Sequence, residues 1–323
     1  KQKTAYEISL GLVGSEMCIR DSYRAALFIS LERFYVEMKI KRLGLIFKRE
    51  SPEAEKFAIE LIKFLIEKNF TILLPSDLAR VLGREDLGVR SIETGNIDAL
   101  VVIGGDGTLL KTFHAVKEGI PFIPVNSDTL GFFYDINRHN YRKAFALITE
   151  GKYEIKTWRT GLLEVEGENS KLSFLNEAVI YSRKRAKMMI FELKKGKEIF
   201  AKGRCDGVII ATTLGSTAYS LSQGGPIVDW ELEALVFTPI SPFSPIVKPI
   251  VFNSNTWLNL KLFTDSTLVI DGYLSADIEK GKCIKISLRG KPFNLVKVYG
   301  IGTDFFEKIR RRLADEIFYS KFF

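Results

Sequence analysis

Hydrophobic and polar positions along the chain follow two textures, with the change near Gly151. In the first half, Leu43–Phe47 is a short apolar run that predicts a strand. Phe57, Leu61, Phe64 and Leu65 then recur at helical spacing, with Lys63 and Lys68 outside. Ser51-Pro52-Glu53 opens that helix with a cap candidate, a first-turn proline and an acid. Phe70–Leu74 predicts a second strand, and the polar, glycine-punctuated stretch Ser76–Ile97 predicts irregular chain or a short helix. Ala99–Ile103 is apolar without a break, as befits a strand buried on both faces of a parallel sheet. Thr108–Val116 predicts a helix, Phe122–Val125 a strand and Arg142–Thr149 a closing helix. Such strand-helix alternation predicts an open, mostly parallel α/β domain with helices on both faces.

Beyond Gly151 the segments shorten and alternate: Gly161–Val165, Leu172–Tyr181, Met188–Leu193, Gly207–Ala211, Leu235–Pro239, Trp257–Leu262, Thr267–Ile270 and Cys283–Leu288. Turn residues separate them, and Lys194-Lys195-Gly196-Lys197 reads as a hairpin turn. The second half therefore predicts an antiparallel β-sandwich-like domain. The expected division is 38–150 for the α/β part, 151–300 for the β-rich part and 301–323 for a terminal helix. On that helix, Phe306, Ile309, Leu313 and Ile317 share a face and predict docking on a domain or a neighbouring subunit. Arg310-Arg311-Arg312 reads as a solvated face. Residues 1–37 do not fit this pattern. Leu10–Ser22 has the look of foreign sequence carried into the reading frame, so Met38 is the expected natural start.

Composition narrows the class. The 323 residues are 46% hydrophobic and 27% charged, enough for two full cores. No apolar run is long enough to cross a bilayer, so no membrane partner is expected. The formal charge of +8 suits polyanionic substrates and would suit nucleic acid, but no nucleic-acid recognition motif accompanies it. The three cysteines show no paired spacing, which points to a reducing, cytoplasmic setting. With two histidines and no Cys/His cluster, a structural zinc site is not expected.

The densest chemistry follows the apolar strand: Gly104-Gly105-Asp106-Gly107-Thr108. Glycines let backbone amides approach a ligand, and the start of the next helix favours anions. A carboxylate repels phosphate, so Asp106 makes sense as the group that addresses a hydroxyl to be deprotonated, or a metal travelling with phosphates. A tight Asp-Gly turn is the bland alternative. This pentapeptide resembles the motif of several kinases acting on alcohols: NAD kinases, diacylglycerol and sphingosine kinases, and more distantly phosphofructokinases.

Cys205–Asp229 (C-D-G-V-I-I-A-T-T-L-G-S-T-A-Y-S-L-S-Q-G-G-P-I-V-D) separates them. An apolar strand runs into a turn of small hydroxylated residues that would let a flat polar ligand lie against the backbone. A capped helix with packing serines is the plain alternative. This segment closely resembles the signature of the NAD kinases. Asn126 with Leu130-Gly131-Phe132 is similar to that family's N-x-G-x-L-G-F loop, and Leu175-Asn176-Glu177 to its Asn-Glu pair. The resemblance runs from about Met38 to the C-terminus.

It implies phosphoryl transfer from ATP or inorganic polyphosphate, with Mg²⁺ or another divalent cation, to the adenosine ribose 2′-hydroxyl of NAD, giving NADP. Asp106 would be the general base, with Gly105, Gly107 and Thr108 on the donor phosphates. Phe132 would lie against adenine, a plain core aromatic being the alternative. Asn126, Asn176 and Glu177 would address the substrate, and Asp206, Thr217, Ala218, Tyr219 and Ser222 would surround the nicotinamide riboside. Lys111, Lys187 and Arg204 fall where the family often carries basic groups near phosphates. Members are commonly homodimers or homotetramers. Departures are Asp128 for glycine, Thr213-Leu214 for Pro-Thr, Phe243 for histidine and Tyr273 for glutamine. A non-catalytic dinucleotide sensor and a lipid kinase are the competing readings.

Overall fold

The computed structural model describes residues 39–49, 51–92, 96–127, 131–184 and 186–319. The expectations for residues 1–37, for the Met38 start and for Asp128 and Leu130 lie outside the described residues. Among them the first half builds β1 (Arg42–Phe47), α1 (Pro52–Glu67), β2 (Thr71–Pro75), α2 (Ser76–Val81) and β3 (Gly88–Val89). β4 (Ala99–Gly104), α3 (Asp106–Ala115), β5 (Phe122–Asn126), β6 (Ile136–Asn137) and α4 (Tyr141–Thr149) follow. All six residues of β4 are buried. Leu100 and Val102 pack with Leu109 and Phe113 of α3, and the strand's two-residue period turns Val101 and Ile103 to the opposite face.

α1 begins as its sequence dictates. Ser51 is extended at the N-cap, and its hydroxyl accepts the Ala54 N–H at 3.3 Å. Ser51→Ala should lower stability by about 1 kcal/mol, measurable by chemical denaturation. That is well below the ~2–5 kcal/mol expected for truncating a buried leucine such as Leu61. A loss as large as the core value would mean that Ser51 does more than cap.

The first sheet runs β3-β2-β1-β4-β5 in parallel and is then extended by two strands from the rest of the chain. β20 (Phe293–Val298) pairs parallel with β5, and β7 (Tyr153–Trp158) pairs antiparallel with β20. The expected break near Gly151 is therefore crossed. The chain leaves the α/β sheet after β7 and returns to it at β20.

Between these crossings lie two antiparallel sheets. One orders β15 (Ile250–Asn253), β14 (Ala234–Ile240), β13 (Gly207–Thr212), β10 (Glu177–Ser182), β17 (Ser266–Ile270) and β18 (Leu274–Ile278). The other orders β12 (Glu198–Cys205), β11 (Met189–Lys195), β16 (Leu258–Leu262), β19 (Cys283–Ser287), β8 (Gly161–Val165) and β9 (Lys171–Phe174). Their inner faces share one core, including Phe174, Phe191, Phe237, Leu260 and Ile286. The β11–β12 hairpin turns at Gly196, where φ is 61°. Leu172–Tyr181, expected as one strand, is two. β9 stops at Phe174 and β10 starts at Glu177, because the amides between them bond to a carboxylate instead of a neighbouring strand.

After the one-turn α5 (Tyr219–Ser222), the terminal helix is α6 (Phe305–Tyr319). Its docked face is the expected one only in part: Ile309 is buried, but Phe306 and Leu313 are exposed and Lys308 is buried. Phe305 lies 5.7 Å from Trp230 and 6.1 Å from Phe132, ring centre to ring centre, so Phe305 rather than Phe306 turns inward on the side of Ile309. Arg310 and Arg311 pair with Glu307 on the wet side, as a solvated face should. No helix among the described residues is long and apolar enough to cross a membrane.

Candidate functional site

The turn after β4 places Asp106 as the first residue of α3, where a carboxylate favours the helix dipole. Gly104 has φ of 155°, and a Cβ there would lie 2.6 Å from the Thr108 hydroxyl, so the turn closes tightly only without a side chain. The Asp106 carboxylate accepts the Phe132 N–H at 3.0 and 3.1 Å, and its Oδ1 accepts the Phe133 N–H at 3.4 Å. Tyr134 donates its hydroxyl to the Gly105 carbonyl at 2.7 Å. Burial, then the Asp106 charge, pushes that phenol well above its ordinary pKa, so it stays protonated and keeps donating. Asp106 is thus held from two sides: by its helix and by the 131–134 segment.

Beside this turn opens a cavity of about 690 Å³, lined by Gly105, Gly107, Thr108 and Lys111 from the turn and α3, and by Lys48 and Arg49 from the end of β1. The start of α3 and the cations Lys48, Lys111 and Arg49, the last paired with Asp77, give this cavity a chemistry suited to anions. Among the described residues no three His, Cys, Asp or Glu side chains gather as a metal site. Asp106 and Thr108 are hard oxygen donors, suited to Mg²⁺ carried in on a nucleotide's phosphates. A second cavity of about 400 Å³ touches Asn126, Gly131 and Tyr134, and shares Ser127 with the first.

Asn176 and Glu177, both buried, sit where β9 gives way to β10. Asp271 organises this bend. Its Oδ2 accepts Leu175 N–H at 2.7 Å, and its Oδ1 accepts Asn176 and Glu177 N–H at 2.8 and 3.0 Å. The same carboxylate meets His114 Nε2, near the end of α3, at 2.8 Å. Thr212 ties the bend to β13, donating its hydroxyl to the Leu175 carbonyl at 2.6 Å and its amide to the Asn176 carbonyl at 2.9 Å. The Leu214–Thr217 turn then packs so closely that a Cβ on Gly215 would lie 2.0 Å from the Asn176 carbonyl oxygen. Asn176 Oδ1 is buried with no protein partner among the described residues, a vacancy a ligand hydroxyl or amine would fill.

The remaining expected residues fall into two groups. Thr217, Ala218, Tyr219 and Ser222 follow the same turn. Thr217 is buried, Tyr219 is half-buried and pairs with the Tyr181 hydroxyl, and Ser222 donates to the Tyr219 carbonyl at 2.8 Å. Lys187, Arg204 and Asp206 are exposed and line neither cavity, with Arg204 stacked over Phe243 at 4.4 Å. Phe132 is buried, its ring 4.9 Å from Trp230, and it meets Asp106 through its backbone N–H.

Sequence reading assigned no role to Lys48, Arg49, His114 or Asp271. Lys48 and Arg49 close an apolar strand, a position where ligands gather in open α/β sheets, and that signal could have found them. His114 and Asp271 are 157 residues apart and carried no local signal.

Comparison with known proteins agrees with this geometry. Residues 43–153 match the ATP-NAD kinase N-terminal domain, and residues 175–298 match the ATP-NAD kinase C-terminal domain. An NAD kinase of Methanothermobacter thermautotrophicus is 31% identical over 85% of this chain and 96% of its own. One from Thermococcus kodakarensis is 32% identical over 74% of this chain and 88% of its own. Among solved structures, the Archaeoglobus fulgidus NAD kinase in complex with ATP superposes with a TM-score of 0.69 and 26% identity, covering 83% of this chain and 98% of that one. A yeast NADH kinase complexed with NADH shares the fold, with a TM-score of 0.75 at 23% identity over 85% of this chain and 88% of its own. With both domains matched in order and full-length relatives above 30% identity, the chain belongs to the NAD kinase family of enzymes.

Proposed function

We propose that this enzyme transfers the terminal phosphoryl group of ATP to the 2′-hydroxyl of the adenosine ribose of NAD, with Asp106 as general base. Asp106 Oδ takes the hydroxyl proton, the ribose oxygen forms a bond to the γ-phosphorus, and the bond from that phosphorus to the β–γ bridging oxygen breaks, releasing ADP. The observation that carries this reading is a carboxylate fixed by the Phe132 and Phe133 amides beside a glycine turn that opens on a cationic cavity. Phosphoryl transfer needs alignment and charge neutralisation more than covalent help, and these parts supply both. The Gly105 and Gly107 amides and the Thr108 side chain, with Lys48, Arg49 and Lys111, would hold the donor phosphates, and Mg²⁺ bound with ATP would spread their charge. ATP bound to the Archaeoglobus relative supports it as donor, and polyphosphate is the alternative donor to test beside it.

Asn176 and Glu177 would receive the ribose hydroxyls, the open Asn176 Oδ1 being the atom suited to the task. The 217–222 segment, with Tyr219, would surround the nicotinamide end. Tyr219→Ala is expected to raise the Kd for NAD about tenfold or more, roughly 1.4 kcal/mol, and leave ATP affinity within a factor of two. Calorimetric titration of both nucleotides checks it, and equal losses for both would place Tyr219 elsewhere. The test of the reaction is NADP formation from NAD with ATP or polyphosphate and Mg²⁺. Tight NAD binding without product would leave a binding protein in place of a kinase.

A further inference from the structure

The terminal helix reaches the reacting carboxylate through one buried cation. Lys308 on α6 is 8% exposed, and its ammonium donates to the Phe132 carbonyl at 2.9 Å. That carbonyl shares its peptide with the Phe133 N–H, which with the Phe132 N–H on the other side of the residue holds Asp106. We propose that Lys308 is a positioning residue for phosphoryl transfer, setting through Phe132 where the Asp106 carboxylate stands; this rests on Asp106 being the base.

Three observations carry it. Lys308 is itself fixed: its ammonium pairs with Asp135 Oδ1 at 2.7 Å, and Asp135 Oδ2 is also held by Lys297 of β20 at 2.5 Å. Burial alone would raise the Asp135 carboxyl, but the two lysines more than offset it and leave its pKa below the ordinary value. The Phe132–Asp135 segment is thus clamped at both ends, by Asp106 and by the lysine pair. Second, Phe305, one helical turn before Lys308, packs on Phe132 and Trp230, so α6 holds the segment by its ring as well as its charge. Third, a lysine here costs desolvation, which lowers its own pKa, and an apolar side chain of similar length would serve packing at least as well. Packing alone does not account for an ammonium aimed at the carbonyl whose own peptide carries the Phe133 N–H that Asp106 Oδ1 accepts.

The experiment compares wild type with Lys308→Met, Lys308→Gln and Lys308→Arg in steady-state NADP formation, with thermal melting of each variant. Lys308→Met removes charge and donor; it is expected to lower kcat about tenfold, the scale of a sub-ångström misplacement. KM for NAD and ATP should stay within twofold, kcat being taken per folded enzyme, because the melting temperature is expected to fall as the buried Asp135 carboxylate loses one of its two cations. Lys308→Arg, which restores a donor and the charge, should recover most of kcat, and Lys308→Gln less. If the methionine variant does not fold, the arginine and glutamine variants carry the same ordering. Unchanged kcat in the variants that fold would overturn the proposal. So would a fall in kcat that merely tracks lost folded protein, or a rise in KM with kcat intact. A wild type that makes no NADP would instead strike the reading of the site itself.

Discussion

Asp106→Asn should lower the kcat for NADP formation by about 10²–10⁴-fold, the usual worth of a positioned general base. Nucleotide affinities should change little. The substitution keeps the local structure: Asp106 Oδ1 accepts both the Phe132 and the Phe133 N–H, and an amide oxygen in that place still accepts them. What the amide cannot do is take the ribose proton. Stopped-flow or steady-state measurement of NADP, with NAD and ATP binding measured on the same protein, checks both halves. A kcat within tenfold of wild type would mean that alignment and phosphate neutralisation suffice without proton transfer to residue 106.

The second large effect is expected at Asp271. Asp271→Ala leaves the Leu175, Asn176 and Glu177 amides and His114 without their shared acceptor. An unsatisfied buried donor costs about 1–3 kcal/mol, so three amides together should cost at least about 3 kcal/mol of stability. The Asn176–Glu177 bend would relax with it, and KM for NAD should rise at least about tenfold, equivalent to ~1.4 kcal/mol. Asp271→Asn, which keeps one of the two oxygens, should fall between. Denaturant melts and KM values for both substrates check this. A stable alanine variant with unchanged KM for NAD would show that β10 and the Thr212 contacts hold the bend unaided.

How much of this was legible in the chain follows from where each strand sits. β1, β4 and β5 are covered on both faces, so their apolar runs stand out, and the glycine turn after β4 marks the start of α3. β12, β15 and β18 are edge strands, largely exposed, and edges carry polar residues that blur the two-residue alternation. β7 also lies at a sheet edge, but β20 does not. It was missed because it pairs with β5, roughly 170 positions earlier, and nothing local announces a return to the first sheet.

The site divides the same way. Asp106, Asn176 and the 217–222 turn, the residues proposed for the site, stand out in the sequence through short motifs whose chemistry is local. Asp271 carried no local signal, since its partners lie 94 to 157 positions away. Lys308 carried no signal of its own in the sequence. The role proposed for it depends on the phase of α6, which Phe305 sets by packing on an aromatic cluster no single helix encodes.

The most direct test is the structure of the enzyme with NAD and a non-hydrolysable ATP analogue bound together. The distance to read is from the Asp106 carboxylate to the ribose 2′-oxygen of NAD. The account predicts a hydrogen bond of about 2.6–3.2 Å, with the terminal phosphate in the cavity of Gly105, Lys48 and Lys111. A 2′-oxygen out of reach of Asp106 and bonded to a different base would contradict it.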